Sequence, residues 1–477
     1  MQVRHEGMRI EGERVVRDHV IEVFNPYTGA CVGTVPRATT DDLQRALAVA
    51  AAHRPRLSRY DRHRLLLRAA EIVVARTEEI SDLITAESGL CKKDTRYEVG
   101  RVRDVLAFGA NAALVDDGQV FACDVTPHGR ERRVYTQRDP LLGVIVAITP
   151  FNHPMNQVAH KVVPSIATNN RMVLKPSEKV PLSALMLADI LYEAGVPPAM
   201  LQVVTGDPAE VAQELLTHAA VDLVTFTGGV AIGKDIADKV GYRRVVLELG
   251  GNDPLIVLED ADLEQAATLA TAGAFKNSGQ RCTAVKRVLV QYSIADRFVD
   301  LLLRRALEWR YGDPMDEAMD MGTVIDEAAA QVIEDRVNDA IARGARLLCG
   351  NVRRGALYAP TVVDRVASDM TLVREETFGP VAPVIRFATV DEAISIVNGS
   401  GFGLSAGVCT NRLDLVTRLV SELQVGSVNV GEVPGYRLEL TPFGGIKDSG
   451  LGHKEGVIEA MKSFTNVKTY SLPWPLA

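Results

Sequence analysis

The sequence predicts an α/β protein with two successive parallel-sheet domains and a short extended arm. Three observations carry this expectation. The chain has 477 residues, too many for one hydrophobic core. Between residues 141 and 251, short β-rich runs alternate with amphipathic helical runs. From about 253 to 460 a second series of the same kind follows.

The elements follow in chain order. Residues 41–115 read as several helices, and the one near 95–114 carries Val99, Val102, Leu106, Gly109 and Ala113 at helical spacing. LLGVIVAIT (141–149) reads as strand and NQVAHKVVPSIATN (156–169) as helix. RMVLKP (171–176) is strand and PLSALMLADILYEAG (181–195) helix; LQVVTG (201–206) is strand and AEVAQELLTHA (209–219) helix. LVTFTG (223–228) is strand, GVAIGKDIADKVG (229–241) helix and RRVVLELGG (243–251) strand. Such a sheet is covered on both faces and binds ligands at the carboxyl ends of its strands. In the second series DPLIVLED and CTAVKRVLVQ read as strands, with a helical run between them that ends just before Cys282. The basic segment 129–139 and the final SFTNVKTYSLPWP read as extended edge strands or arms.

Composition excludes several functions. The net charge of −8 argues against a nucleic-acid partner. The cysteines Cys31, Cys91, Cys123, Cys282, Cys349 and Cys409 are widely spread, with no CxxC pair and no zinc spacing. A disulfide framework and a metal site are therefore not expected. No apolar run reaches the length of a membrane span, and the N-terminus has no apolar signal region. A cytoplasmic protein without a membrane partner is the expectation.

Candidate chemistry concentrates at strand ends. Cys282 lies in SGQRCTAVKR, directly after Arg281 and shortly before Lys286 and Arg287. A thiolate is the reactive form of cysteine, and neighbouring cations favour it. A buried structural cysteine is the plain alternative. Glu248, in LELGGNDP, ends a strand before a Gly-Gly break, where an acid can serve as general base or stand as a solvated carboxylate. Asn152 and His153, in TPFNHP, follow the first strand; an Asn amide can donate to a developing oxyanion, and His153 is a ligand-binding or a core imidazole. In FTGGVAIG, Gly228 and Gly233 allow backbone N–H groups to approach a pyrophosphate at a helix N-terminus. Lys175 and Glu178, in VLKPSE, are placed to meet ribose hydroxyls. The acid there disfavours a 2′-phosphate, which favours NAD over NADP.

Seven segments, TPFNHP, VLKPSEK, FTGGVAIG, LELGGNDP, GQRCTA, EETFGPV and PFGGIKDSG, occur in order across nearly the whole chain. Together they resemble the aldehyde dehydrogenase superfamily. The resemblance implies an aldehyde dehydrogenase-like fold: a Rossmann-type NAD-binding domain (1–117 and 138–247), an α/β catalytic domain (248–461) and an oligomerisation arm (118–137 and 462–477). It implies Cys282 as nucleophile, Asn152 with the Cys282 N–H as oxyanion donors, and Glu248 as the base that activates hydrolytic water. Members that acylate coenzyme A generally lack that acid, so a free carboxylate product is implied. The cofactor positions implied are Thr149, Pro150, Phe151, Lys175, Ser177, Glu178, Gly206, Thr227, Gly228, Gly233, Leu249, Glu376 and Phe378, holding NAD, with NADP second. A homodimer or homotetramer is implied as well. The chain departs from the common pattern at Phe151 and His153, where an aromatic pair is usual, and at Gly229, where a serine is frequent.

The substrate expectation rests on charge. Arg281 adjoins the nucleophile, His153 follows the oxyanion Asn, and the helix near 95–114 offers Arg101 and Arg103 on opposite flanks. Guanidinium forks match phosphate-like oxygens bidentately. CKKDTRYEVGR, TPHGRERR and EVPGYRLELTPFGGIKDSG also resemble the phosphonate-aldehyde branch of the superfamily, which selects Arg101. Arg437, in VPGYR, is a further substrate candidate, matching the phosphate arginine of the glyceraldehyde-3-phosphate branch. A small phosphonate or phosphate aldehyde is thus the expected partner.

Overall fold

The computed structural model describes residues 3–453 and 455–475. Its first sheet has seven strands in the order Arg244–Glu248, Val221–Thr227, Val144–Ile148, Met172–Lys175, Leu201–Val203, Met8–Ile10 and Glu13–Val15. The first five are parallel, and all five match strands expected from the alternating pattern. The N-terminal hairpin, which carries no clear sequence signal, extends the sheet antiparallel.

Period-2 alternation explains why both faces are covered. Ile145 and Ala147 join a core with the helices Arg59–Ala75, Lys92–Leu114, Asn156–Ala167 and Leu182–Glu193. Val144 and Val146 join the opposite core, with Thr40–Ala52, Pro208–Thr217 and Val230–Lys239. Capping boxes at Thr39/Asp42 and Ser58/Asp61 satisfy the opening N–H groups of two of these helices.

The second seven-stranded sheet runs Arg346–Cys349, Thr361–Asp364, Val381–Phe387, Arg287–Gln291, Pro254–Val257, Ser405–Cys409 and Ser427–Val430. All but Arg346–Cys349 are parallel. The expected strand CTAVKRVLVQ is corrected here: it begins only at Arg287, and residues 282–286 form a loop. The loop is held in place by backbone donation from Lys286 and Arg287 to Asp253 O, which leaves Cys282 outside the ladder.

Leu249–Asp253 is the linker between the two sheets. A third sheet pairs Thr465–Pro473 with Arg132–Pro140 and Val120–Ala122, so the two extended segments are partners of one another. The first sheet, with five parallel strands and helices on both faces, is Rossmann-like. Among the described residues no helix is long and apolar enough to cross a membrane.

Candidate active site

The loop that presents Cys282 is strained. Helix Leu263–Phe275 ends in a turn where Asn277 (φ 60°) and Ser278 (φ 54°) both adopt left-handed conformations. Such residues cost free energy unless their surroundings hold them. Here the Asn277 N–H donates to Asp94 Oδ2 at 2.8 Å. Its side-chain amide donates to Asn152 O at 2.9 Å, and Asn152 Nδ2 donates to Gln280 O at 2.9 Å. These exchanged amide bonds lock the TPFN loop to the cysteine loop, and they leave one Asn152 N–H for another acceptor.

Asn152 is itself fixed from behind. Glu98 Oε1, on the helix Lys92–Leu114, accepts from the N–H groups of Met155 and Asn156 at 2.9 Å each. The carboxylate caps the helix that follows TPFN.

Two cavities meet at Cys282. One, of about 260 Å³, is lined by Phe151, Asn152, Thr227, Glu248, Leu249 and Phe378, with Pro150, Gly228 and Glu376 also on its wall. Phe151 and Phe378 meet edge to face, with centroids 5.8 Å apart. The second, of about 240 Å³, is lined by Arg101, His153, Arg281 and Arg437, with Tyr97 and Asp94 among its other walls. Cys282 and Gln157 belong to both.

The remaining expected cofactor residues lie outside that first cavity. Lys175 and Ser177 are buried near the end of strand Met172–Lys175, and Lys175 Nζ donates to Glu178 Oε2 at 3.1 Å. Gly206 is buried after strand Leu201–Val203, and Gly233 lies in helix Val230–Lys239 against Leu249. Thr149 and Thr227 have buried hydroxyls without a protein partner. Gly229 caps that helix without a side-chain bond, which leaves opening N–H donors at its N-terminus. Unused hydroxyls, a helix N-terminus and the Lys175–Glu178 pair at strand carboxyl ends fit a dinucleotide.

Glu248 ends its strand, and its carbonyl accepts from Gly228 N at 3.0 Å. Gly444 passes so close that an added Cβ would stand 2.5 Å from Glu248 Oε1. Gly250 does the same for another acid: its Cβ would fall 2.1 Å from Glu376 Oε2. The glycines of LELGG and PFGG thus make room for carboxylates.

Burial pushes the Cys282 thiol up to about 11, and the main opposing pulls come from Lys286 and Arg437. Arg281 donates through Nη2 to Ala272 O (3.3 Å) and Gly273 O (2.7 Å). Lys286, whose Nζ donates to Cys282 O, Gly251 O and Glu376 Oε1 at 2.7 Å each, is the ammonium whose pull on the thiol is largest. Its signal was present in GQRCTAVKR as a cation four residues after the thiol.

Of the arginines, Arg101, Arg281 and Arg437 all reach the second cavity. Arg103 does not: it is exposed and pairs with Asp104. Arg437 lies over the Phe443 ring at 3.9 Å. Burial holds the His153 imidazole below its usual range although Glu98 Oε2 lies 3.7 Å from Nδ1. His153 therefore lines the cavity in surroundings that favour its neutral form. Glu439, which sequence reasoning missed, bonds Arg101 Nε and accepts from His160 Nε2 at 2.5 Å. Nothing local marks it, since Arg101 is 338 residues away.

The family model described as "Aldehyde dehydrogenase family" matches residues 15–470. A "3-sulfolactaldehyde dehydrogenase" of Priestia aryabhattai is 39% identical over 465 residues, 97% of each chain. A "Sulfoacetaldehyde dehydrogenase" of Neptuniibacter caesariensis is 35% identical over 451 residues, 94% of this chain and 98% of that one. The crystal structure of an NADP-dependent glyceraldehyde-3-phosphate dehydrogenase from Bacillus halodurans, complexed with NADP, is 36% identical with a TM-score of 0.95. It covers 99% of this chain and 100% of its own.

Proposed function

The chain belongs to the aldehyde dehydrogenase family, and we propose that it oxidises an anionic aldehyde, phosphonoacetaldehyde by preference, to the free carboxylate. The observation that carries this reading is the convergence of Arg101, Arg281 and Arg437 on the cavity that opens at Cys282. Three guanidiniums around a small buried space would be costly for an apolar substrate and suit a doubly charged one. The resemblance of CKKDTRYEVGR, TPHGRERR and EVPGYRLELTPFGGIKDSG to the phosphonate-aldehyde branch adds the phosphonate, and with it a place in 2-aminoethylphosphonate degradation.

In this mechanism Cys282 Sγ adds to the aldehyde carbon, giving a thiohemiacetal. The oxyanion is held by the spare Asn152 N–H and the Cys282 backbone N–H. The thiol starts protonated, since burial pushes it up to about 11, so its proton must leave as the bond forms. That proton passes to water, and Glu248, on the same cavity wall, is the base for the water that later hydrolyses the thioester. Thr149–Phe151, Lys175–Glu178 and Thr227–Gly233 would hold NAD(P), which when bound would supply a hydride acceptor beside Cys282. The Glu178 carboxylate favours NAD over NADP at the ribose.

Glyceraldehyde 3-phosphate is the second reading, supported by Arg437 in the cavity and by the Bacillus halodurans likeness. The exposed apolar residues Phe121, Tyr470, Leu472 and Trp474 on the three-stranded arm suit contacts in a homodimer or homotetramer. The test is a steady-state comparison of phosphonoacetaldehyde, glyceraldehyde 3-phosphate, sulfoacetaldehyde and acetaldehyde, each with NAD and NADP. The highest kcat/KM is expected for phosphonoacetaldehyde with NAD. Acetaldehyde turned over as efficiently as the anions would overturn the reading.

A further inference from the structure

We propose that Glu439 sets the charge selectivity of the aldehyde site, tuning it between singly and doubly charged substrates; this rests on the anionic-aldehyde reading above. The three guanidiniums of the cavity are not equivalent. Glu439 is buried at 6% exposure, binds Arg101 through Oε1, and lies 3.7 Å from Arg437 Nη2 through Oε2. One carboxylate thus serves two guanidiniums. Arg281 has no carboxylate within ion-pair distance among the described residues. Its Nε is buried without a hydrogen-bond partner.

The charges around the cavity are Arg101, Arg281, Arg437 and exposed Lys276 against Asp94, Glu432, Glu439 and Glu98, which accepts from the Met155 and Asn156 N–H groups and stands 3.7 Å from His153 Nδ1. Lys276 and Glu432 sit at the wetter rim, where solvent screens them. Asp94 is occupied by the Asn277 N–H and faces Arg281. Glu439 is therefore the acid that offsets Arg101 and Arg437. Arg281, which faces Asp94 but forms no ion pair among the described residues, supplies the least compensated charge of the three. The electrostatic energy of a bound tail scales with its own charge. Removing the Glu439 charge must therefore help a dianion about twice as much as a monoanion. His160, the third partner of Glu439, is buried, and burial favours its neutral form, so it adds no lasting counter-charge.

Phosphonoacetaldehyde and sulfoacetaldehyde make a matched pair, since they differ at the tail chiefly in charge. The measurement is the ratio of their kcat/KM values, above the second ionisation of the phosphonate, in wild type, Glu439→Gln and Glu439→Asp. Glu439→Gln keeps the shape and removes the charge, and should shift the ratio about tenfold toward the phosphonate. Glu439→Asp keeps the charge and shortens the reach; both substrates should weaken while the ratio stays near wild type. A purely structural role predicts that both variants lower both substrates alike, and an unchanged ratio in Glu439→Gln overturns the proposal. Should that variant fail to fold, a tenfold shift in Glu439→Asp would overturn it equally. Failure of the underlying reading looks different: wild type would not prefer either anion over acetaldehyde.

Discussion

Lys286 Nζ donates to the carbonyl oxygen of Cys282 at 2.7 Å, which places an ammonium against the backbone of the proposed nucleophile. Glu376 and the Gly251 carbonyl hold it there. The arrangement ties the inter-sheet linker, the cysteine loop and a cofactor-side acid to one cation. It also supplies the largest pull opposing the burial of the thiol.

Lys286→Met should therefore raise the Cys282 pKa further above its present value of about 11. A higher thiol pKa means less thiolate at any given pH, so the pH profile of iodoacetamide alkylation should move upward. A shift of one unit corresponds to about 1.4 kcal/mol of lost interaction. Cys282→Ala is the control: it should abolish both labelling at this site and turnover, with NAD binding retained.

Glu248→Gln should slow thioester hydrolysis more than acylation, by about 10²–10⁴-fold. Rapid mixing should then show a burst of about one NADH per active site followed by a very slow steady state. Gly444→Ala should reproduce part of this defect without touching the acid. Its Cβ would meet Glu248 Oε1, and Gly444 has a φ of 152° that only glycine adopts readily. Its cost in stability is expected at about 1–3 kcal/mol, read by denaturant unfolding.

Arg281→Ala should raise KM for an anionic aldehyde by about ten- to a hundredfold, since a hydrogen bond to a charged group contributes about 1.5–3 kcal/mol. Acetaldehyde should lose much less, because it has no tail for the guanidinium to meet. Equal losses on both substrates would mean that Arg281 acts only through its bonds to Ala272 O and Gly273 O.

Glu87 gives a stability prediction with a definite sign. Its carboxyl caps the helix Leu182–Glu193, accepting from Leu182 N at 2.7 Å and Ser183 N at 3.0 Å. Burial pushes it from 4.5 up to about 7 even though those bonds favour the charged form. A raised folded-state pKa means the native state holds the proton longer than the unfolded chain. The contribution is fully present below about pH 4.5 and is lost as pH rises through about 7. The stability of wild type relative to Glu87→Gln should fall by about 3 kcal/mol across that window.

The sequence by itself determined the five parallel strands of the first sheet, because buried strands and amphipathic helices carry different hydrophobic periods. It also determined the motif positions at strand ends, since those features are local in the chain. It did not reveal the N-terminal hairpin, whose few residues join the sheet only by pairing with Leu201–Val203. Nor did it separate Arg101 from Arg103 by helical period alone; packing exposes Arg103 and turns Arg101 toward Glu439. The Asn152–Asn277 latch, the Glu248–Gly444 approach and the Arg101–Glu439 pair join residues between 125 and 338 positions apart. Only tertiary structure decided these, because electrostatic and steric contacts depend on distance in space, and spacing along the chain records none of it.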